Sequence, residues 1–275
     1  MLISVIVTTY NRPDALKLIL QALNEQSDHN FEVIVGDDGS KIETIELIEQ
    51  MQKQVSYPLF HVWQEDLGFR LARARNLAAL KAHGDYFIFL DGDCIPRKNF
   101  IKVHRALLQA KTLVAGNRVL LTEKFTNSTL AKQENIWNYS FIKWALMFFQ
   151  GNIKRLLPLI NLHGYYSRFR QNNSWKKARG CNFALSRQDF FDVNGCDSSF
   201  EGWGYEDSDL AIRLLHNGVK IKSGRYASAV LHLYHRENDR SQQQENLKKL
   251  ECRLNSDQIK AISGLLELTK ELGQK

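Results

Sequence analysis

The sequence predicts an α/β fold whose central sheet is mixed but mainly parallel and doubly wound, with helices on both faces. Over the first 120 residues, short β-rich runs alternate with amphipathic helical patterns in the order βαβαβαβ. The fourth run, Tyr86 to Leu90, is continuous and apolar, as in a strand covered on both faces. Polar segments follow three of these runs, and such sheets bind ligands beyond the carboxyl ends of their strands. We therefore expect a ligand site at that edge.

The individual elements are predicted from hydrophobic spacing. The first helix carries Leu16, Ile19, Leu20 and Leu23 at helical spacing, with Pro13 in its first turn. The β-rich runs are 3–8, 31–35, 59–63 and 86–90, and the helical patterns between them start near residues 13, 42 and 71, the third extending to 83.

The second half of the chain is less regular. Residues 122–178 interrupt the alternation and contain an apolar and basic segment at 141–160. A strand pattern resumes at Asn182, a helix begins near Tyr205, and a β-like run extends to His235.

The end of the chain is a predicted helical tail, in which Leu247, Leu250 and Leu254 share one helical face. The length suits one large domain or one domain with an appendage. We divide a domain at 1–238 into a first half at 1–121, a helical insertion at 122–178 and a second half at 179–238, followed by the tail at 239–275.

Composition excludes several classes of protein. Apolar residues make up 44% and charged residues 24% of the 275 residues, which is typical of a globular chain. A net charge of +7 favours nucleic acid, phosphate-bearing small molecules or an anionic membrane as partner. No apolar run approaches the roughly 18 residues of a membrane-spanning helix, and the first seven residues indicate a buried strand rather than a secretion leader. The four cysteines form no CxxC pair, so we expect reduced thiols in a cytoplasmic protein.

The acidic pair in Asp91-Gly92-Asp93 follows the buried fourth run directly. Two carboxylates at the end of a buried strand repel each other and are costly to desolvate unless a cation lies between them. Magnesium and manganese prefer such oxygen ligands and can bridge to a diphosphate. An ordinary Asp-Gly turn is the alternative, and this motif alone does not decide between the two.

Two further acidic segments are candidates for the site. Residues 37–40 (Asp-Asp-Gly-Ser) end the second run, where a carboxylate can accept hydrogen bonds from a base or a ribose; a helix cap is the alternative. Glu206 and Asp207 follow a Gly-Trp-Gly frame at the start of a helix, whose dipole favours ionised carboxylates. Compensation of the helix dipole alone is the alternative there.

Basic side chains offer contacts of a different kind. Arg70, Arg73 and Arg75 lie on a helix-forming stretch, and an arginine can bind a pyrophosphate with two parallel hydrogen bonds. Solvated helix arginines are the alternative.

His232 and His235 lie in an apolar β-like run, in which alternation places them on opposite faces. A structural histidine is the alternative to a metal ligand at either position.

Five segments carry a resemblance to a known family. In order, they are VIVTTYNR (5–12), FEVIVGDDGS (31–40), QEDLGFRLARARN (64–76), FLDGDCIP (89–96) and GWGYEDSDLAIRL (202–214). The chain resembles family-2 glycosyltransferases of the Rossmann-like GT-A fold. It resembles in particular the modules of bacterial chondroitin and hyaluronan-type polymerases and the C-terminal part of β-1,4-galactosyltransferases. The resemblance spans about residues 3–120 and 178–237. It implies a nucleotide-binding half at 1–121, an insertion at 122–178 that faces the acceptor or a membrane, and an acceptor-binding and catalytic half at 179–238.

This resemblance implies roles for particular residues. Contacts to the nucleotide-sugar would come from Thr9, Tyr10, Arg12, Asp38, Arg75, Asp91 and Asn182. The metal, Mn²⁺ or Mg²⁺, would be held by Asp93, Asp91 and His235, and His232 is left as a structural residue. Asp207 would be the catalytic base beside Glu206, and Glu206 and Trp203 would bind the acceptor.

The resemblance also implies an activity. It is that of an inverting, metal-dependent enzyme that moves a hexose or N-acetylhexosamine from a UDP-sugar to a hydroxyl of a saccharide or glycolipid acceptor. Bacterial surface polysaccharide, capsule or lipopolysaccharide would be the product. A nucleotidyltransferase acting on sugar phosphates is the alternative enzyme, but it would need a Gly-rich basic loop after the first strand. A basic nucleic-acid-binding protein is the non-enzymatic alternative, and because no recognised binding motif is present we expect no nucleic-acid partner.

The insertion does not resemble the family, in which this region contributes to the acceptor site. It also contains Trp144, Leu146, Phe148 and Phe149 interspersed with basic residues such as Lys143. This pattern predicts peripheral binding to the anionic inner face of the cell membrane. A buried helix pair is the alternative.

Overall fold

The computed structural model describes residues 1–160, 174–178, 180–236 and 239–273. Its strands are β1 (Ile3–Thr9), β2 (Phe31–Asp37), β3 (Leu59–Trp63), β4 (Tyr86–Asp91), β5 (Cys94–Ile95), β6 (Thr112–Ala115), β7 (Asn117–Leu120), β8 (Asn182–Ser186), β9 (Lys220–Ser223) and β10 (Ala229–His232). Its α-helices are α1 (Pro13–Asn24), α2 (Ile42–Gln52), α3 (Leu71–Lys81), α4 (Phe100–Leu107), α5 (Glu123–Lys132), α6 (Phe141–Phe149), α7 (Arg187–Asp192), α8 (Glu206–His216), α9 (Gln243–Leu254) and α10 (Leu265–Gly273).

The larger sheet has the strand order β3-β2-β1-β4-β8-β6-β9. The first four strands are parallel neighbours, whereas β8 is antiparallel to both β4 and β6. Side chains alternate along β1, so Val5 joins the core that contains Leu16 of α1, and Ile6 joins the core on the other face with Ala78 of α3. The prediction of a mixed, mainly parallel sheet between helical layers is confirmed.

The smaller sheet, β5-β10-β7, connects the two halves of the chain. His232 at the end of β10 pairs with Cys94 of β5 and with Leu120 of β7. The end of β10 therefore lies beside Asp93. Because β10 ends at His232, the predicted β-like run to His235 is wrong in its last three residues, and the alternation argument does not apply to His235.

The described part of the insertion is helical, as predicted, with α5 and α6 as its longest elements. Trp144 of α6 is fully buried, with its ring centroid 5.2 Å from that of Tyr139, so its predicted membrane-facing position is wrong. The opposite side of α6 exposes Ile142 and Phe149. Within the described ranges, no helix is both long and apolar enough to cross a membrane. The remainder of the insertion, at 161–173, lies outside the described residues.

The tail packs against the domain through both of its helices. The predicted leucine face lies on α9, where Leu250 is buried and Leu254 is 44% exposed. Asn246 and Arg253 are buried instead, and Arg253 bonds to Asp209 of α8 through Nε at 2.6 Å. The tail is therefore held by polar contacts as much as by leucines.

Candidate active site

Three strand ends meet at one edge of the larger sheet. The backbone N–H of Asp38 donates to the carbonyl of Thr9 at 3.0 Å, and that of Gly92 donates to the carbonyl of Thr8 at 2.7 Å. The Thr8 hydroxyl also donates to Asp91 Oδ1 at 3.3 Å. Because β1, β2 and β4 are parallel neighbours, the polar segments that follow them form one surface, at the edge where the sequence predicts a ligand site.

Asp38 is buried at this edge and accepts two hydrogen bonds. One comes from the backbone N–H of Arg70 at 2.8 Å and the other, a short one, from the side-chain amide of Gln64. Burial raises the pKa of Asp38 to about 6, although these hydrogen bonds lower it. Gly39 follows with a φ of +90°, and a Cβ there would lie 2.5 Å from the Asp66 backbone, so this turn requires glycine. Sequence reasoning had not singled out Gln64.

The rim of the same surface carries the other residues predicted near the nucleoside. Tyr10 is exposed and donates through its hydroxyl to Asp66 Oδ2 at 2.9 Å, and this hydrogen bond raises the pKa of Tyr10. The Thr9 hydroxyl is buried and has no hydrogen-bond partner among the described residues. Arg12 precedes α1, with its Nε 3.4 Å from Asp14 Oδ1. Tyr10 and Thr9 are thus brought to the site, whereas Arg12 contacts its own helix.

Arg75 connects this edge to α8 beneath the surface. Its Nη2 donates to Asp91 Oδ1 and to the Gly180 carbonyl, both at 3.0 Å, and its Nη1 donates to Glu206 Oε1 at 3.4 Å. Burial would lower the pKa of Arg75, but Asp91 and Glu206 outweigh it and raise that pKa. The side chain is only 1% exposed, so the structure contradicts its predicted contact with a diphosphate. Arg75 instead holds two carboxylates in place.

Asp93 faces the two histidines. Its Oδ2 lies 3.2 Å from His235 Nε2, and its Oδ1 lies 3.7 Å from His232 Nε2. Two ligands at right angles, each about 2.1 Å from one cation, lie about 3 Å apart, so these side chains fit a shared divalent cation. Carboxylate and imidazole together suit a transition metal such as manganese. The Cys94 thiol donates to Asp93 Oδ1 at 3.3 Å, and burial raises its pKa, so it is a neutral neighbour.

Sequence reasoning left His232 as a structural residue and did not single out Arg118, but both lie beside the candidate site. Alternation set His232 apart from His235, but the chain turns after β10 and brings their rings to 5.3 Å. Arg118 of β7 is half-buried, and its Nε has no hydrogen-bond partner among the described residues. Burial would lower the pKa of Arg118, but Cys181, Cys94 and Asp91 raise it. The guanidinium therefore lies close to the acidic pair.

The start of α8 brings the second acidic pair to the site. Asp207 Oδ2 accepts the backbone N–H of Gly180 at 2.7 Å, and its Oδ1 accepts that of Ser208 at 2.7 Å. Glu206 is buried, and burial together with Asp207 raises its pKa to about 7 despite Arg75. A chain of contacts thus runs from Asp91 through Arg75 to Glu206. Arg179, which precedes Gly180, lies outside the described residues.

Two remaining predicted residues differ in their accessibility. Trp203 is half-buried in the Gly-Trp-Gly frame, and the guanidinium of Arg240 lies over its ring at 4.7 Å. Asn182 is only 1% exposed and donates to the carbonyls of Asn117 at 3.1 Å and Ser228 at 2.5 Å. The structure therefore contradicts its predicted contact with the donor sugar, because its amide ties β8 to the smaller sheet.

Comparison with known proteins identifies the family. The family model described as glycosyl transferase family 2 matches residues 4–189. The chain belongs to glycosyl transferase family 2. A second model, described as the N-terminal domain of galactosyltransferase, matches residues 161–236, a range that contains the Gly-Trp-Gly frame and both histidines. Family membership decides against the nucleotidyltransferase and nucleic-acid-binding alternatives.

Two curated relatives extend the comparison. The glycosyltransferase is 25% identical to the chondroitin synthase of Escherichia coli, over 86% of this chain and 34% of the relative. It is 28% identical to the validoxylamine A glucosyltransferase of Streptomyces hygroscopicus subsp. jinggangensis, over 82% of this chain and 54% of the relative. The chain thus spans about a third to a half of the length of these two relatives.

Solved structures of GT-A glycosyltransferases show the same fold. GalNAc-T7 with UDP, GalNAc and Mn²⁺ has a TM-score of 0.60 at 19% identity, covering 86% of this chain and 44% of that one. A mannosyltransferase from Pyrobaculum calidifontis, in complex with GDP-Man and Mn²⁺, has a TM-score of 0.58 at 17% identity, covering 86% of this chain and 57% of that one. The predicted GT-A fold is confirmed.

Proposed function

We propose that this glycosyltransferase moves a hexose or N-acetylhexosamine from a UDP-sugar to a hydroxyl of a saccharide or glycolipid acceptor, with inversion at the anomeric carbon. The observation that carries the proposal is the Asp93–His235 pair, with its 3.2 Å contact, at the edge where Asp38 and Asp91 also lie. A ligand pair for a divalent cation and a carboxylate for the nucleoside thus share one surface. The nucleotide and Mn²⁺ in structures of similar fold support a metal-bound donor.

The donor would lie across the strand ends. Asp38 accepts hydrogen bonds from the base or ribose, and Tyr10 and Thr9 lie next to it on the same surface. Asp93 and His235 would hold Mn²⁺, with Mg²⁺ as the alternative, and Asp91 and His232 lie beside them. When bound, the cation would supply positive charge for the departing diphosphate.

Arg118 replaces Arg75 in our assignment of the diphosphate contact. The Arg118 side chain is half-buried, and an arginine can bind two phosphate oxygens at once. Arg75 acts indirectly, because it orients Asp91 and Glu206 on either side of the crevice.

Asp207 is proposed as the catalytic base. The N–H groups of Gly180 and Ser208 fix the orientation of its carboxylate, and α8 carries it to the edge of the crevice. Asp207 takes the proton of the acceptor hydroxyl, and the acceptor oxygen bonds to the anomeric carbon as the bond from that carbon to the diphosphate oxygen breaks. Attack from the face opposite the leaving group inverts the configuration. Trp203 then offers an aromatic surface for the acceptor.

The acceptor and the place of action are inferred from the relatives and from the surface. The similarity to chondroitin synthase supports a saccharide acceptor in bacterial surface polysaccharide, capsule or lipopolysaccharide synthesis in the cytoplasm.

For membrane association, α6 exposes Ile142, Leu146 and Phe149, and Lys143 is exposed beside them. We expect this face to bind anionic lipid. Flotation with phosphatidylglycerol vesicles tests this; binding that is lost in the double variant Ile142→Ser/Phe149→Ser supports it, and unchanged binding contradicts it.

A donor screen tests the activity. The purified chain is incubated with individual UDP- and GDP-sugars, with and without Mn²⁺, and release of the nucleoside diphosphate is measured. We expect turnover of a UDP-sugar that stops on addition of EDTA, and loss of activity in Asp93→Asn but not in Asp257→Asn, an exposed control on the tail. Metal-independent turnover or exclusive use of GDP-sugars would contradict the proposal.

A further inference from the structure

Gln64 lies between Asp38 and an arginine of α3. Its side-chain amide nitrogen donates to Asp38 Oδ1, and its carbonyl oxygen Oε1 accepts from Arg73 Nη1 at 2.9 Å. Gln64 is only 4% exposed, so these contacts are shielded from water. Because a guanidinium group only donates hydrogen bonds, Arg73 determines which end of the Gln64 amide faces Asp38. The amide nitrogen points at the carboxylate, and Asp38 Oδ1 is thereby held as an acceptor.

The Arg73 guanidinium is in turn held by the C-terminal helix. Its Nη2 donates to Glu271 Oε1 of α10 at 2.7 Å, and its Nη1 is the nitrogen that donates to Gln64. Helix α10 is anchored apart from this contact, because its Leu265 is buried in the apolar core on the α3 face of the larger sheet. A continuous line of hydrogen bonds therefore runs from the tail to Asp38.

The second carboxylate oxygen of Asp38 is held by the residue before α3. The backbone N–H of Arg70 donates to Asp38 Oδ2 at 2.8 Å, and Arg70 directly precedes the helix that carries Arg73. Each oxygen of Asp38 thus already accepts one hydrogen bond and has a second lone pair left for a ligand. An N–H of the base or an O–H of the ribose fits this acceptor.

We propose that Arg73 and Glu271 are positioning residues for the donor nucleotide, which act through Gln64 and make the affinity for UDP depend on the tail. This inference rests on the proposed binding of the nucleoside at Asp38. Without Arg73, the Gln64 amide is free to turn its carbonyl oxygen toward Asp38, where two acceptors repel each other and the carboxylate loses its fixed position. Arg73 is not a phosphate ligand in this assignment, because both of its Nη atoms donate within the protein.

Calorimetric titration of UDP into the whole chain, in the presence of Mn²⁺, tests the proposal. Arg73→Met should weaken UDP binding about tenfold, because the orientation of Gln64 is no longer fixed. Arg73→Lys should lose less, since lysine keeps the charge but not the planar fork that holds both partners. Glu271→Gln should weaken binding about two- to fivefold, because its pair with Arg73 is partly exposed. Glu251→Gln, an exposed control on α9, should bind UDP like the unmodified protein.

A double variant separates positioning from a general effect on the fold. If Arg73 acts through Asp38, Arg73→Met should cause no further loss of UDP affinity once Asp38→Asn is present, whereas a merely structural role would add its own loss. In the transfer assay, Arg73→Met should raise the KM for the donor and leave kcat unchanged, because the contact is lost equally from the bound donor and from the transition state.

The outcomes distinguish this proposal from the donor assignment on which it rests. Additive losses in the double variant, or full UDP affinity in Arg73→Met, would overturn the positioning role while the donor assignment stands. Full affinity in Glu271→Gln would overturn the part played by the tail. If the unmodified protein does not bind UDP at all, the donor assignment is wrong and this proposal is wrong with it.

Discussion

Two buried networks of carboxylates and arginines each include acids from the first turn of α8, and they differ in charge balance. In the first, Asp209 bonds to Arg213 Nε at 2.7 Å and to Arg253 Nε at 2.6 Å, and Arg253 also reaches Asp197 at 3.1 Å. Two carboxylates face two guanidinium groups, so the charges cancel within the protein. This network joins α8 to the tail and has no access to a ligand.

The second network is unbalanced. Arg75 bonds to Asp91 and Glu206, while Asp207 lies beside Glu206 and Asp93 beside Asp91. Four carboxylates thus lie around one fully buried arginine, which bonds to two of them, and the half-buried Arg118 lies close to Asp91. An excess of negative charge at a crevice favours binding of a cation, whereas a balanced network only cross-links the fold. The contrast shows that charge balance, rather than the presence of acids, distinguishes the site from the scaffold.

The largest effect is expected for Asp207→Asn. Loss of a general base should lower the rate of transfer by about 10²- to 10⁴-fold, because the amide cannot take the proton of the acceptor hydroxyl. UDP affinity should stay close to that of the unmodified protein. Steady-state transfer kinetics and UDP titration measure the two quantities, with Asp257→Asn as the exposed control. If the variant transfers sugar at the original rate, Asp207 is not the catalytic base.

Asp209→Asn should break the balanced network. It leaves Arg213 and Arg253 short of negative charge, and the free energy of unfolding should fall by about 3–5 kcal/mol. Urea denaturation measures this loss. Glu245→Gln, which breaks an exposed pair with Lys248, should cost no more than about 1 kcal/mol. A loss at Asp209 as small as that at Glu245 would show that the network does not hold the tail.

Replacing each histidine next to Asp93 in turn should show which of the two contributes more to Mn²⁺ binding. His235→Ala should abolish the increase in UDP affinity caused by Mn²⁺, and His232→Ala should reduce it less, because His232 Nε2 lies farther from Asp93. Addition of Mn²⁺ at about 100 times its Kd should stabilise the unmodified protein by about 2.7 kcal/mol. Thermal unfolding with and without Mn²⁺ measures the effect. An equal response in His235→Ala and the unmodified protein would argue against the assigned metal site.

Arg118→Gln should weaken UDP binding by about tenfold, because a charge-assisted contact with the diphosphate is lost. Arg118→Lys should restore part of it, since lysine keeps the charge but not the paired hydrogen bonds. Calorimetry with UDP and with uridine separates the contributions, as uridine has no diphosphate. Equal losses for the two ligands would place Arg118 elsewhere than at the diphosphate.

The last prediction concerns the dependence of stability on pH. The pKa of Glu206 is about 7 in the folded chain and 4.5 for an ordinary glutamate, so the folded state holds this proton more tightly. The contribution of Glu206 to stability is therefore greatest below about pH 4.5 and falls as the pH rises toward about 7. Unfolding free energies measured between these limits should decline less steeply in Glu206→Gln. Identical pH profiles would contradict a raised pKa.

Much of the nucleotide-binding half could be predicted from local sequence. The strands from β1 to β4 are β-rich runs separated by helical patterns, and polar segments follow three of them. Because parallel strands share a carboxyl edge, the proximity of Thr9, Asp38 and Asp91 follows from that pattern alone. The proposal that Asp93 and His235 bind a metal came from a family resemblance, and the two side chains are in contact in the structure.

Local sequence could not predict which side chains are buried, nor the direction of the chain outside helices and strands. Arg75 and Asn182 have polar side chains suited to a ligand, but long-range contacts enclose both of them. Trp144 fits a membrane face by composition, yet it fills the core of the insertion. Strand alternation predicted that His232 and His235 lie on opposite faces, but alternation applies only within a strand, and β10 ends at His232.

The sequence by itself determined the α/β order, the polar strand ends and the family motifs, because these depend on neighbours within a few residues. Only the tertiary structure decided which acids are balanced and which are not. Asp207 and Asp209 lie two positions apart on one helix. Asp209 differs in charge balance because it is paired with Arg213 and with Arg253, which lies 44 residues further along the chain. Electrostatic balance depends on distances between side chains remote in sequence, and folding alone sets those distances.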